Sequence, residues 1–183
     1  MSGMSTETER RFLVRVRSWA AVAADATREH LVQAYLAAEP ERTVRIRLGA
    51  ERAVLTVKGP AERGARTEIE CAIDPVAARA ILDARLFTGT PVEKTRSTLC
   101  IGKLVWEVDQ FEGGNAGLVL AEVELPEGGT RAAWDSSVDR GRPDWAGREI
   151  TGEPRFSNSS LALRPFATWP ERERADVMRE IES

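Results

Sequence analysis

In the stretch Val44-Arg45-Ile46-Arg47-Leu48, apolar and charged residues take turns one by one. This period of two constrains the chain more than any other feature. Side chains two apart on an extended backbone point the same way, so strict alternation makes a strand with one apolar and one polar face. The pattern recurs in about eight segments, predicting strands near 7–14, 43–48, 53–58, 66–73, 93–100, 103–111, 117–125 and 154–158. Gly113-Gly114-Asn115 and Ile101-Gly102-Lys103 are tight connections between them. Helical patterns are expected at 18–30, at 75–86 behind the cap Asp74 and the first-turn Pro75, and at 170–181 after Thr168-Trp169-Pro170. The stretch 130–149, with Trp134 and Trp145, has room for one more helix. The expected fold is mainly β: an eight-stranded antiparallel barrel with flanking helices, forming a single domain over 1–183.

The charges sort by strand face. Glu7, Glu9 and Arg11 share one, as do Arg45 with Arg47, Glu68 with Glu70, Lys94 with Arg96, Glu107 with Asp109, and Glu122 with Glu124; Lys58 closes the segment Ala53–Lys58. A sheet that merely wets its polar face gains nothing from like charges side by side and loses slightly by them. Paired carboxylates suit a hard divalent cation such as Mg²⁺ or Mn²⁺, and paired Arg and Lys side chains suit phosphate oxygens. Both together imply metal and polyphosphate inside a charged tunnel. Parity alone does not say which face is inside, and a carrier barrel with an apolar interior has the same alternation. The same-sign doublets favour the charged interior. Trp106, Trp134, Trp145 and Phe156 then pack the outer face under the helices, and the mixed-charge segment 171–182 is a solvated amphipathic helix able to plug one tunnel end.

Composition removes several classes. A net charge of −3 argues against a generic nucleic-acid or anionic-membrane binder. No apolar run approaches the roughly 20 residues of a membrane span and no signal peptide opens the sequence, so a cytoplasmic location is expected. Cys71 and Cys100, the only cysteines, are expected to be small buried or half-buried residues without a bridge. The single histidine, His30, excludes histidine-rich metal centres and is expected at a surface or helix end.

Taken in order, these segments resemble the CYTH family, the triphosphate tunnel metalloenzymes. The motifs are Glu7-x-Glu9-x-Arg11 before Phe12-Leu13-Val14, then Gln33-Ala34-Tyr35-Leu36, Val44-Arg45-Ile46-Arg47, Leu55-Thr56-Val57-Lys58-Gly59, Glu68-Ile69-Glu70, Lys94-Thr95-Arg96, Trp106-Glu107-Val108-Asp109, Ala121-Glu122-Val123-Glu124 and Arg155-Phe156-Ser157-Asn158. Each alone is weak; the ordered set is specific. The resemblance implies a tunnel holding a triphosphate-containing small molecule with Mg²⁺ or Mn²⁺. It assigns Glu7, Glu9, Glu122 and Glu124 as leading metal ligands, with Glu68, Glu70 and Asp109 as further acidic wall. It assigns Arg11, Arg45, Arg47, Lys58, Lys94, Arg96 and Arg155 to phosphate oxygens, and puts the catalytic work on Glu7, Glu9, Lys58, Lys94 and Asp109. The implied activity is hydrolysis of a terminal phosphate, of inorganic tripolyphosphate because no nucleoside pocket is evident. Class IV adenylyl cyclase, thiamine triphosphatase and nucleoside triphosphatase are alternatives within the family; a non-catalytic polyphosphate-binding module is the alternative outside it. Oligomeric state is left open between monomer and homodimer. One position departs: the family signature ends in lysine, and Arg11 keeps the charge but is a poor acid or base, so any proton handling falls to Lys58 or Lys94.

Overall fold

In a computed structural model, which describes residues 5–6, 9–39, 41–62, 65–124 and 130–183, the described strands form one antiparallel sheet. They are β1 (Ser5–Thr6), β2 (Glu9–Val14), β3 (Thr27–Glu39), β4 (Arg42–Leu48), β5 (Ala53–Glu62), β6 (Ala65–Ile73), β7 (Thr88–Ile101), β8 (Leu104–Phe111), β9 (Val119–Glu124) and β10 (Ala146–Glu149). Their spatial order is β1-β6-β5-β4-β3-β7-β8-β9-β2-β10. The helices are α1 (Val16–Ala20), α2 (Pro75–Asp83), α3 (Arg131–Gly141), α4 (Asn158–Leu163) and α5 (Glu171–Ile181). No helix among the described residues is long and apolar enough to cross a membrane.

The expected mainly β tunnel fold is found; among the described residues the sheet has ten strands where eight are expected, and backbone hydrogen bonds do not close it. Its margins are nonetheless bridged by chain. β1 pairs with β6 at one margin, while β2 pairs with β9 and β10 at the other. Only three Cα steps separate Thr6 from Glu9, about 11 Å at most, so the two margins meet and the sheet curls into a tunnel.

The expected helix at 18–30 shrinks to α1 and a 3-10 turn, Ala23–Asp25, because the chain turns extended at Thr27 and pairs on both sides, with β4 and β7. Two ladders outweigh the helical propensity of an Ala-rich stretch. The expected strand at 154–158 is instead a 3-10 turn, Pro154–Phe156, followed by α4. Proline lacks a ladder donor, and the Ser157 hydroxyl accepts from Ser160 N as an N-cap. The 130–149 stretch holds both α3 and the short β10. Helix α2 forms as expected, with Asp74 accepting from Val76 N. Cys71 and Cys100 are unbridged but exposed rather than buried: Cys71 has the outward parity on β6, opposite to Glu68 and Glu70, and Cys100 stands one residue from the end of β7. His30 is exposed, on β3 rather than a helix end.

The core lies outside the tunnel. Phe12, Trp106, Val108, Ala121 and Val123 on the outer face of β2, β8 and β9 pack with Trp19, Trp134, Val138, Trp145, Val177 and Ile181. Trp106 stacks tilted on Phe12 at 5.6 Å and edge-on to Trp145 at 5.2 Å. A smaller cluster of Leu48, Ala53 and Ala78 seats α2 on β4 and β5. Helix α4 packs on β7 and β3. Gly89 permits this: its φ is +70°, and a Cβ there would run into the Ala162 carbonyl.

Candidate active site

The inward-facing side chains enclose a cavity of about 130 Å³. Thr43, Arg45 and Arg47 enter from β4, Lys58 from β5, and Lys94 and Arg96 from β7. Opposite them stand Glu9 and Arg11 from β2 with Glu122 and Glu124 from β9. Gln33 and Tyr35 of β3 and the run Ser157-Asn158-Ser159 at the start of α4 complete the lining. The period of two in each strand is what carries these residues inward, since their neighbours Val44, Ile46, Val57, Val108 and Val123 occupy the opposite face. α4, and not α5, supplies the tunnel-lining end.

The cavity's charges are held in a network. Lys94 is 1% exposed and donates to Asp109 Oδ2 at 2.5 Å, while Arg96 grips both Asp109 oxygens at 2.7 Å and reaches Glu122 at 3.2 Å and Glu107 as well. Burial would push the Asp109 carboxyl up, but Lys94 and Arg96 hold it down at about 2. Burial pushes the Lys94 ammonium below its ordinary value, against the pull of Asp109. Burial likewise pushes Glu107 up, with Glu122 and Asp109 adding to the shift and Arg96 opposing it. On the other wall Lys58 meets Glu68 at 2.9 Å, Arg45 lies 3.8 Å from both Glu68 and Glu70, and Arg47 lies 3.7 Å from Glu70.

Two features bear on what the cavity can hold. Glu9 stands directly across from Glu124, and Glu107 across from Glu122, so two carboxylate pairs face each other between neighbouring strands. Such pairs are unfavourable unless a cation lies near them; Arg96 reaches both Glu107 and Glu122, and Arg11 is ion-paired with Glu9. Among donors, Arg45 Nε is buried with no hydrogen-bond acceptor among the described residues. The Tyr35 oxygen accepts from Gln33 Nε2 at 2.9 Å, and Gln33 Oε1 in turn accepts from Arg45 at 3.3 Å. With its oxygen accepting there, the phenol's own O–H is left to donate.

Of the residues expected from sequence, Glu9, Arg11, Arg45, Arg47, Lys58, Lys94, Arg96, Glu122 and Glu124 line this one cavity. Glu68 and Glu70 face inward but are occupied with Lys58, Arg45 and Arg47. Asp109 is buried behind Lys94 and Arg96, with both oxygens engaged. Arg155 is elsewhere, paired with Glu153 and Glu173 and stacked on Phe156 and Trp169. Glu7 lies outside the described residues. Arg11 pairs with both Glu9 and Glu122, so the planar guanidinium spans two carboxylates where an ammonium offers only a point charge. The neutral lining, Gln33, Tyr35, Thr43 and 157–159, escaped a reading built on charge doublets.

The sequence profile of the CYTH domain matches residues 5–137. The chain belongs to the CYTH family. An inorganic triphosphatase of Acetivibrio thermocellus is 34% identical over 92% of this chain and 100% of its own length. One from Nitrosomonas europaea is 32% identical over 86% of this chain and 97% of its own. A solved inorganic triphosphatase structure, 29% identical, covers 87% of this chain and 96% of its own with a TM-score of 0.60. A Hippeastrum protein at 14% identity, covering 85% of this chain and 94% of its own with the same TM-score, shares the fold alone.

Proposed function

We propose that this CYTH protein is a divalent-metal-dependent inorganic triphosphatase, a hydrolase that removes the terminal phosphate of tripolyphosphate. The observation that carries this is the convergence of Arg11, Arg45, Arg47, Lys58, Lys94 and Arg96 on one small cavity whose far wall is carboxylate. The full-length similarity to inorganic triphosphatases supports it. The cavity is smaller than the roughly 300–1,000 Å³ of pockets for drug-sized ligands, and Tyr35 is its sole aromatic lining among the described residues. Both favour a bare phosphate chain over a nucleotide.

The donor set fits a hard divalent cation, Mg²⁺ or Mn²⁺. The opposed Glu9 and Glu124, with Glu122 beside them, are oxygen ligands in a like-charge arrangement that a cation relieves. When bound, the cation offsets phosphate charge and lowers the pKa of water. The chain's own residues do the rest. Arg45, Arg47 and Lys58 hold phosphate oxygens on one side, Lys94 and Arg96 on another, and the Tyr35 hydroxyl donates a further hydrogen bond. Phosphoryl transfer needs mainly such positioning and charge stabilisation. Asp109 acts as a positioning residue, fixing the Lys94 ammonium and the Arg96 fork at the cavity wall. A carboxylate of the β2–β9 wall takes the proton of the attacking water, and the basic wall stabilises the charge left on the departing pyrophosphate.

The test is turnover of tripolyphosphate, ATP and thiamine triphosphate, each with and without Mg²⁺ or Mn²⁺, reading both phosphate and cyclic AMP. Metal-dependent phosphate release chiefly from tripolyphosphate is expected, and Glu122→Gln should lower it by about 100-fold or more while sparing the fold. Cyclic AMP would identify a lyase instead, and tight binding without turnover a polyphosphate-binding module.

A further inference from the structure

We infer that His30, Glu93 and Glu112 form a surface site for one first-row transition-metal ion such as Zn²⁺, on the outer face of the sheet and separate from the cavity. This does not rest on the triphosphatase reading. His30 lies on β3, Glu93 on β7, and Glu112 directly follows β8, so three neighbouring strands each contribute one group. One ligand atom from each lies within 4.8 Å of the other two. Glu93 has the opposite parity to Lys94, which places the cluster behind the cavity wall. Backbone bonding from Glu112 N to Glu93 O at 2.9 Å ties two members together, and the Thr95 hydroxyl donates to Glu112 Oε1 at 2.9 Å, aiming that carboxylate.

Two observations separate this from an ordinary solvated acidic patch. The only histidine in 183 residues stands beside two carboxylates, which makes the set mixed nitrogen and oxygen. Its Nε2 lies 3.6 Å from Glu112 Oε2, too long for a hydrogen bond. That spacing is close to the edge of about 3.4 Å expected for a tetrahedron with bonds of about 2.1 Å to zinc. In addition, no Lys or Arg among the described residues is paired with Glu93 or Glu112, whereas the other carboxylates facing this wall from inside are ion-paired. Two adjacent carboxylates beside an imidazole, with no Lys or Arg pairing them among the described residues, offer a mixed donor set to a single cation. An imidazole selects Zn²⁺, Co²⁺ or Ni²⁺ over Mg²⁺. His30 and Glu112 side chains are 53% and 44% exposed, so they can move the remaining distance to Glu93. Water fills the open positions, and the ion clamps β3, β7 and the end of β8 together.

Because His30 is the only histidine, a long-range proton–nitrogen NMR spectrum of the ¹⁵N-labelled full chain reports a single imidazole. Titration with Zn²⁺ alone should move its Nε2 resonance, saturating at one equivalent, while excess Mg²⁺ leaves it in place. Glu93→Gln and Glu112→Gln should each weaken the effect about tenfold or more. His30→Ala should remove one equivalent of bound zinc and a Zn²⁺-induced rise of about 5 °C in unfolding midpoint, leaving tripolyphosphate turnover unchanged. The inference is overturned if the resonance does not move by about 1 mM Zn²⁺, or if the double Gln variant binds as tightly as the wild type, since the imidazole would then act alone.

Discussion

The two walls of the tunnel are built differently. The β2–β8–β9 wall sets Glu9 against Glu124 and Glu107 against Glu122, and it is backed by the aromatic core around Trp106 and Trp145. The β4–β5–β6 wall neutralises itself within the sheet through Lys58–Glu68, Arg45–Glu68 and Arg47–Glu70, and among the described residues it is backed by α2 with its small cluster, which leaves Ile69 44% exposed. Like charges across a ladder push strands apart, while opposite charges draw them together. The wall that sets carboxylate against carboxylate has the thick packing, and the wall that pairs opposite charges across its own ladders does without it.

That contrast can be broken at three points. Trp106→Ala, at the centre of the thick packing, should cost about 3–5 kcal/mol in urea unfolding. Asp109 anchors the β8 side of that wall through its pairs with Lys94 and Arg96. Its folded pKa of about 2 lies below its ordinary 3.8, so its contribution is complete above about pH 4 and is lost as the pH falls toward 2. Stability measured along that interval should drop by about 2–3 kcal/mol from this group, and Asp109→Asn should remove that part of the slope while lowering stability at neutral pH. Ile69→Ser, on the thin wall, should cost no more than about 1 kcal/mol. If Ile69→Ser proved as damaging as Trp106→Ala, the difference between the walls would have no energetic meaning.

The charged lining was legible because it rests on parity, and parity is a local property of a strand. Seven of the expected strand segments overlap observed strands, and the doublets on β4, β7 and β9 point where alternation sends them. β3 was not legible as a strand. Its N-terminal approach is rich in Ala, and although β4 follows it directly as a hairpin partner, the ladder on its other side comes from β7, far along the chain. α4 was hidden by Arg155-Phe156, which alternates like a strand until Pro154 and the Ser157 cap are weighed. Arg155 followed the same error, and its guanidinium lies over Phe156 and Trp169 instead of in the cavity. Gln33 and Tyr35 carry no charge, so only their partners in space, Arg45 and each other, reveal them. Asp109 shows the limit of parity in another way: it faces inward as its position requires, yet Lys94 and Arg96 stand in front of it.

The crossing of the N-terminal chain from one sheet margin to the other has a consequence for how the molecule is made. Glu9 and Arg11 pair with Glu124 and Glu122, and the far edge of β2 pairs with Ala146 and Glu149. The first wall of the tunnel is therefore synthesised first but has no neighbour on that side until the chain has run past residue 119, and its outer neighbour comes only after residue 146. The intervening meander of β3 to β6 has all its hairpin partners close by in sequence. The cavity is a property of the whole length, and a shortened chain that keeps every basic residue of the β4–β5 wall still lacks the wall that faces it.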